Sequence, residues 1–67
     1  MNAELMEELE ECIMLCKRLE QQLQQELDEL YLSVTGEIHD AYADSVGDMM
    51  QSVAEIRHKI MLLRSCL

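Results

Sequence analysis

Apolar residues in the first half of the chain, Leu5, Leu9, Cys12, Cys16, Leu19 and Leu23, recur at alternating spacings of four and three. That is the a/d rhythm of a helix seam in a coiled coil. Glu26 stands at the next place in the series, and the apolar role passes to Leu27. Leu30, Tyr31, Val34, Ile38, Tyr42, Met49, Val53, Ile56, Ile60, Leu63 and Leu67 then carry one stripe to the end, with Ser45 as its polar interruption. The chain therefore reads as all-α. A period of eleven also places Leu5, Cys16, Leu27, Ile38, Met49 and Ile60 in a single column, and such a repeat suits an almost straight or slightly right-handed coil.

The central question is whether the helix turns back. Val34 and Thr35 are β-branched, Ser33 and Thr35 are capping types, and Gly36 is the residue commonest just past a helix end. Residues 37–67 open with Glu37, Asp40 and Asp44 and close with Arg57, Lys59 and Arg64, an order that complements the dipole of a separate second helix. These signals predict a single domain with a helix over about 3–33, a turn at about 34–36 and a helix over about 37–66. The expected fold is an antiparallel two-helix hairpin of coiled-coil type that associates into a helical bundle. The apolar stripe also keeps phase across Gly36, which fits the alternative of one continuous helix in a hendecad coiled coil. A rise of ~1.5 Å per residue makes the hairpin about 45 Å long and the rod about 100 Å.

The two halves offer different surfaces. The first is strongly acidic and carries Gln21, Gln22, Gln24 and Gln25, so it reads as half solvated. In the second, the polar residues Glu37, Asp40, Asp44, Asp48, Gln51, Glu55 and Lys59 form one narrow stripe, and most of the remainder is apolar or small. A helix apolar around most of its circumference has to be buried around most of it. If residues equidistant from the turn face one another, Leu23 lies near Gly47, Leu27 near Ala43 and Cys16 near Ala54. Large side chains then meet small ones, and Gly47 acquires a packing role. Leu9, Cys16, Leu23 and Leu27 form the expected intrachain seam. Ile38, Tyr42, Met49, Val53, Ile56, Ile60 and Leu63 remain uncovered by one partner helix. They are the expected interface, with a second copy to make a four-helix bundle or with helices of another protein.

Composition narrows the partners. With 14 acidic against 5 basic residues the net charge is -9, which argues against direct binding of nucleic acid or anionic membrane through a basic patch. Cys12 and Cys16 lie four apart on one helix, a poor geometry for a bridge, and the third cysteine is Cys66. Unbridged thiols point to a reducing, cytoplasmic compartment. No stretch has the pattern of a signal peptide, and no apolar run approaches the ~18 residues of a membrane span. A chain of 67 residues also buries too little surface for much independent stability.

Motifs for chemistry are sparse. Glu55-Ile56-Arg57-His58 matches Glu-x-x-His, the ligand pair of carboxylate-bridged di-metal bundles. Glu55 belongs to the polar stripe and His58 lies near its edge, so the pair points to water, and an i, i+4 pairing of Glu55 with Lys59 is the preferred account. Cys12 and Cys16 supply two of the four ligands of a tetrahedral site, and no second pair follows. Met49, Met50 and Met61 suit either core filling or an adaptable contact surface. Without a nucleophile motif, a phosphate loop or walls for a pocket, no catalytic residue, cofactor or metal is expected.

The expected function is non-enzymatic: a protein–protein interaction module, an assembly adaptor, small chaperone or scaffold subunit, presenting an apolar helix face to itself or to a helical partner. Glu37, Asp40, Asp44 and Asp48 stand at the helical spacing of ~5–6 Å and support an alternative. In that reading the chain mimics nucleic acid and inhibits a basic nucleic-acid-binding protein, as some phage-encoded inhibitors do. Against it stands the ordinary role of acidic residues, which is to keep a sticky helical protein soluble.

Overall fold

A computed structural model describes residues 2–32 and 37–67, without the side chains of residues 37–39. Helix α1 spans Ala3–Leu32 and helix α2 spans Glu37–Ser65. They run antiparallel, because Glu20 meets Arg57 while Glu26, further along α1, meets Tyr42, earlier in α2. The Cα frame measures 52 × 14 × 12 Å, close to the length expected of a hairpin and half that of the rod. The continuous helix is thereby excluded. The expected turn at 34–36 lies outside the described residues, as do the side chains of Glu37 and Ile38.

Three of the four helix ends show how local sequence sets the boundaries. Asn2 caps α1, its Oδ1 accepting a hydrogen bond from the Leu5 amide at 2.9 Å, and Glu4 lies in the first turn where the dipole favours acid. The far end of α1 has no base in its last turn and carries Asp28 and Glu29, charges that the dipole disfavours there. Gln24 and Gln25, one turn earlier, donate to these carboxylates at 2.9 and 3.5 Å. Part of the glutamine run thus supplies neutral donors where acid accumulates. Helix α2 has Arg64 in its last turn and tightens as it ends, the amides of Cys66 and Leu67 bonding to the carbonyls of Leu63 and Arg64.

The inner face follows a seven-residue repeat on both helices. On α1 the inward positions are Met6, Leu9, Ile13, Cys16, Glu20, Leu23, Leu27 and Leu30; on α2 they are Ala43, Val46, Met50, Val53, Arg57, Ile60 and Arg64. Spacings of three and four alternate along each without a slip, as in a left-handed coil. The eleven-residue column is therefore not one face: Cys16, Leu27 and Ile60 turn inward, whereas Leu5 and Met49 are exposed. Leu9, Cys16, Leu23 and Leu27 sit in the seam as expected. Leu5, Cys12 and Leu19 do not. Each lies one residue away from the true inward position, held by Met6, Ile13 and Glu20.

A carboxylate explains the displacement. Glu20 occupies an inward place because Arg57, inward on the other helix, holds it with two hydrogen bonds, Nε to Oε2 at 2.7 Å and Nη2 to Oε1 at 3.3 Å. The bond and the charge of Glu20 hold the Arg57 guanidinium above its ordinary pKa. Arg57 Nη1 also touches the Met61 sulfur at 3.6 Å. The ion pair thus forms a polar layer within the seam, whose other charged inward position, Arg64, lies in the last turn of α2.

The apolar part of that seam is thin. Leu9, Ile13, Ala43, Val46 and Val53 are the buried apolar residues among those described, and none is completely enclosed. Gly47 has no tight neighbour either: a Cβ built on it meets nothing within 4 Å, so the packing role against Leu23 is withdrawn. Replacing Gly47 by Ala should then raise the stability of the hairpin by about 0.5–1 kcal/mol, the helix-propensity difference. A thermal melt of the variant checks this, and an unchanged or lower midpoint contradicts it.

Candidate interaction surface

The heptads that bury one face also define its flanks. One position before Met6, Ile13, Glu20 and Leu27 stand Leu5, Cys12, Leu19 and Glu26; one position before Ala43, Met50, Arg57 and Arg64 stand Tyr42, Met49, Ile56 and Leu63. In an antiparallel pair these two flanking columns share one side of the hairpin. The structure joins them directly, the Tyr42 hydroxyl donating to Glu26 Oε1 at 3.2 Å. This bond, followed by the charge of Glu26 and by desolvation, moves the Tyr42 pKa upward. Its contribution is complete below the ordinary tyrosine range of ~10 and fades as pH rises through the higher folded value.

Apart from Glu26, both columns are apolar and open to solvent. Tyr42 is 50% exposed, Met49 54%, Ile56 53% and Leu63 49%, with Leu5 and Leu19 near 40% at 38% and 41%. Leu15, beside Cys12 and Leu19 on the helix surface, is also exposed. Large exposed apolar residues outnumber the buried ones among those described, and most of them gather on this side.

Acid lies elsewhere. Beyond the two columns the rims carry Glu8, Leu15, Gln22 and Glu29 on α1, and Ser45, Ser52, Lys59 and Cys66 on α2. The remaining exposed acids occupy the other sides, with Asp44 and Asp48 beside an open hollow that Leu27, Tyr31 and Gly47 help to line. Glu55 and His58 are exposed and share a shallow surface hollow with Gln51, Ala54 and Lys59. Arg57, between them in sequence, turns the opposite way. Among the described residues no group of three His, Cys, Asp or Glu side chains is placed to hold a metal ion, and no helix is long and apolar enough to cross a membrane.

The expected interface divides in two. Tyr42, Met49, Ile56 and Leu63 lie on the open side, at intervals of seven. Val53, only 6% exposed, belongs to the hairpin's own core, and half-buried Ile60 faces the same way. The sequence stripe had merged an inward and an outward row because they are three and four residues apart. Leu5, Cys12 and Leu19 join the open side from α1. The signal that could have found them is the second apolar series one position later, Met6, Leu9, Ile13, Cys16 and Leu23.

The thiols differ in the same way. Cys12 and Cys66 are exposed, while Cys16 is half buried. Burial first, then the neighbouring Cys12 and Glu20, push the Cys16 thiol above its ordinary pKa, with Arg57 pulling in the opposite direction. Cys16 is therefore held in the neutral, less reactive form. The chain matches no protein-family model, no curated protein and no solved structure.

Proposed function

We propose that this protein is a non-enzymatic interaction module, an adaptor or scaffold element that works by presenting one apolar side of a helical hairpin. The observation that carries the reading is the pairing of two apolar columns, Leu5, Cys12 and Leu19 with Tyr42, Met49, Ile56 and Leu63, on one side of the fold. Strict a/d seams suffice for two-stranded coils, whereas a third apolar position per heptad is the pattern of helices that face a larger bundle core. Aspartate at Ile56 and Leu63 tests it: the parent chain should be isolated assembled, with itself or with a helical protein, and the double variant should be isolated alone. A parent chain isolated alone and monomeric would overturn the reading.

A second reading rests on Asp40, Asp44 and Asp48, which are exposed in succession on α2 away from the apolar side. With a net charge of -9 they support an acidic mimic that occupies the groove of a basic nucleic-acid-binding protein. Reversing these three charges should release such a target without changing assembly through the apolar side. An unchanged binding curve removes this reading.

A further inference from the structure

We infer that the partner on the apolar side is a second copy of this chain, docked face to face to close a four-helix bundle; this rests on the interaction-module reading above. Three observations favour a copy over another protein. The first is extent. The two columns each run for about 32 Å, at ~1.5 Å per residue, along a frame 52 Å long and 14 Å wide, a continuous strip of the kind that interfaces burying ~800 Å² per partner are built on. The hairpin's own core, with five buried apolar residues among those described and none fully enclosed, leaves a lone domain of this size only marginally stable. A second hairpin turns the open side into a second core layer.

The second observation is charge. A chain with a net charge of -9 should repel its own copy, yet the acids are kept off this side. Glu26 is the one acid in the two columns, and it is bonded to Tyr42. A basic partner would find few carboxylates to pair with here, Glu26 in the columns and Glu8 and Glu29 on the rim. The third is self-complementarity. Both columns repeat every seven residues along antiparallel helices, so a twofold rotation brings each column against a column of equal period in the copy. Such an isologous contact closes after two chains, with helix packing of the bundle type.

Cys12 reports on the interface without any mutation, since it lies in the α1 column and is exposed in the single hairpin. In the parent protein, sedimentation equilibrium should give twice the chain mass, and the thermal midpoint should rise with protein concentration. Alkylation by iodoacetamide should slow at Cys12 by roughly tenfold or more on going from dilute to concentrated protein, the factor being set by the dissociated fraction. Cys66, on the rim at the end of α2, should keep its rate. The Ile56→Asp, Leu63→Asp variant should sediment at the single-chain mass, with fast Cys12 alkylation at every concentration.

A monomeric parent chain whose Cys12 reacts as fast as Cys66 overturns the inference. If that chain is still isolated with a different helical protein, the interaction-module reading stands and only the identity of the partner falls. A dimer whose Cys12 stays fast also overturns it, because the contact then lies elsewhere.

Discussion

Val53→Asp should unfold the hairpin, whereas Ile56→Asp, three residues further on, should leave most of the helix in place. Val53 is 6% exposed in the seam. Its loss forfeits the roughly 1.5–3 kcal/mol of a buried valine side chain, and an ionised carboxylate in its place costs several kcal/mol more in desolvation. A core of this size supplies about 3–5 kcal/mol, so one such change exceeds it. Ile56 is 53% exposed and touches the seam only from its edge. Circular dichroism of the two variants at equal concentration distinguishes them: the helical signal should collapse for Val53→Asp and persist for Ile56→Asp. Equal losses would place both residues in one environment and undo the division of the α2 stripe into inward and outward rows.

The second large effect concerns the polar layer. Arg57→Leu leaves Glu20, whose side chain is only 21% exposed, facing the seam without the guanidinium that holds it. Glu20→Leu combined with Arg57→Leu removes both charges and fills the layer with apolar volume. The double variant should therefore melt at or above the parent, and the single Arg57→Leu below it, because breaking a part-buried pair costs more than replacing it. Independent, additive effects of the two single changes would show that the pair is not coupled. An apolar layer also lacks the ion pair that, with the Tyr42–Glu26 bond, distinguishes this register from its neighbours one heptad away. Doubled amide resonances in the double variant would reveal the lost register.

Much of the fold was legible because it depends on spacing and helix propensity alone. Leucine, methionine, glutamate and glutamine at three–four intervals make two helices, and Gly36 with its β-branched neighbours favoured a break over a rod. The described helices span Ala3–Leu32 and Glu37–Ser65. What misled was the choice between two interleaved apolar series on α1, Leu5-Cys12-Leu19 and Met6-Ile13-Glu20. Hydrophobicity alone does not separate them, because carried one heptad further each contains one glutamate, Glu26 in the first and Glu20 in the second. In the hairpin Glu20 stands inward, bonded to Arg57 of the other helix, and the first series is surface.

The same limit applies to α2. Its stripe from Tyr42 to Leu63 is continuous in sequence, since rows separated by three or four residues merge on a one-dimensional reading. Val53 and Ile56 look equivalent there and are opposite in the hairpin. Gly47 shows the reverse case: a residue that suggests close packing in sequence stands beside open space.

The sequence by itself determined that this protein is helical, acidic and supplied with more apolar surface than one hairpin can bury, and it left the hairpin and the continuous helix both open. Periodicity, charge and the capping and breaking residues are local properties, and they act before any tertiary contact forms. Tertiary structure decided which apolar row is core and which is surface, because that depends on the Glu20–Arg57 pair between residues 37 positions apart. It also brought the α1 and α2 columns onto one side, where Tyr42 meets Glu26 across the groove. The local pattern of α1 offers both apolar series, and the choice between them is made only when the antiparallel register is set.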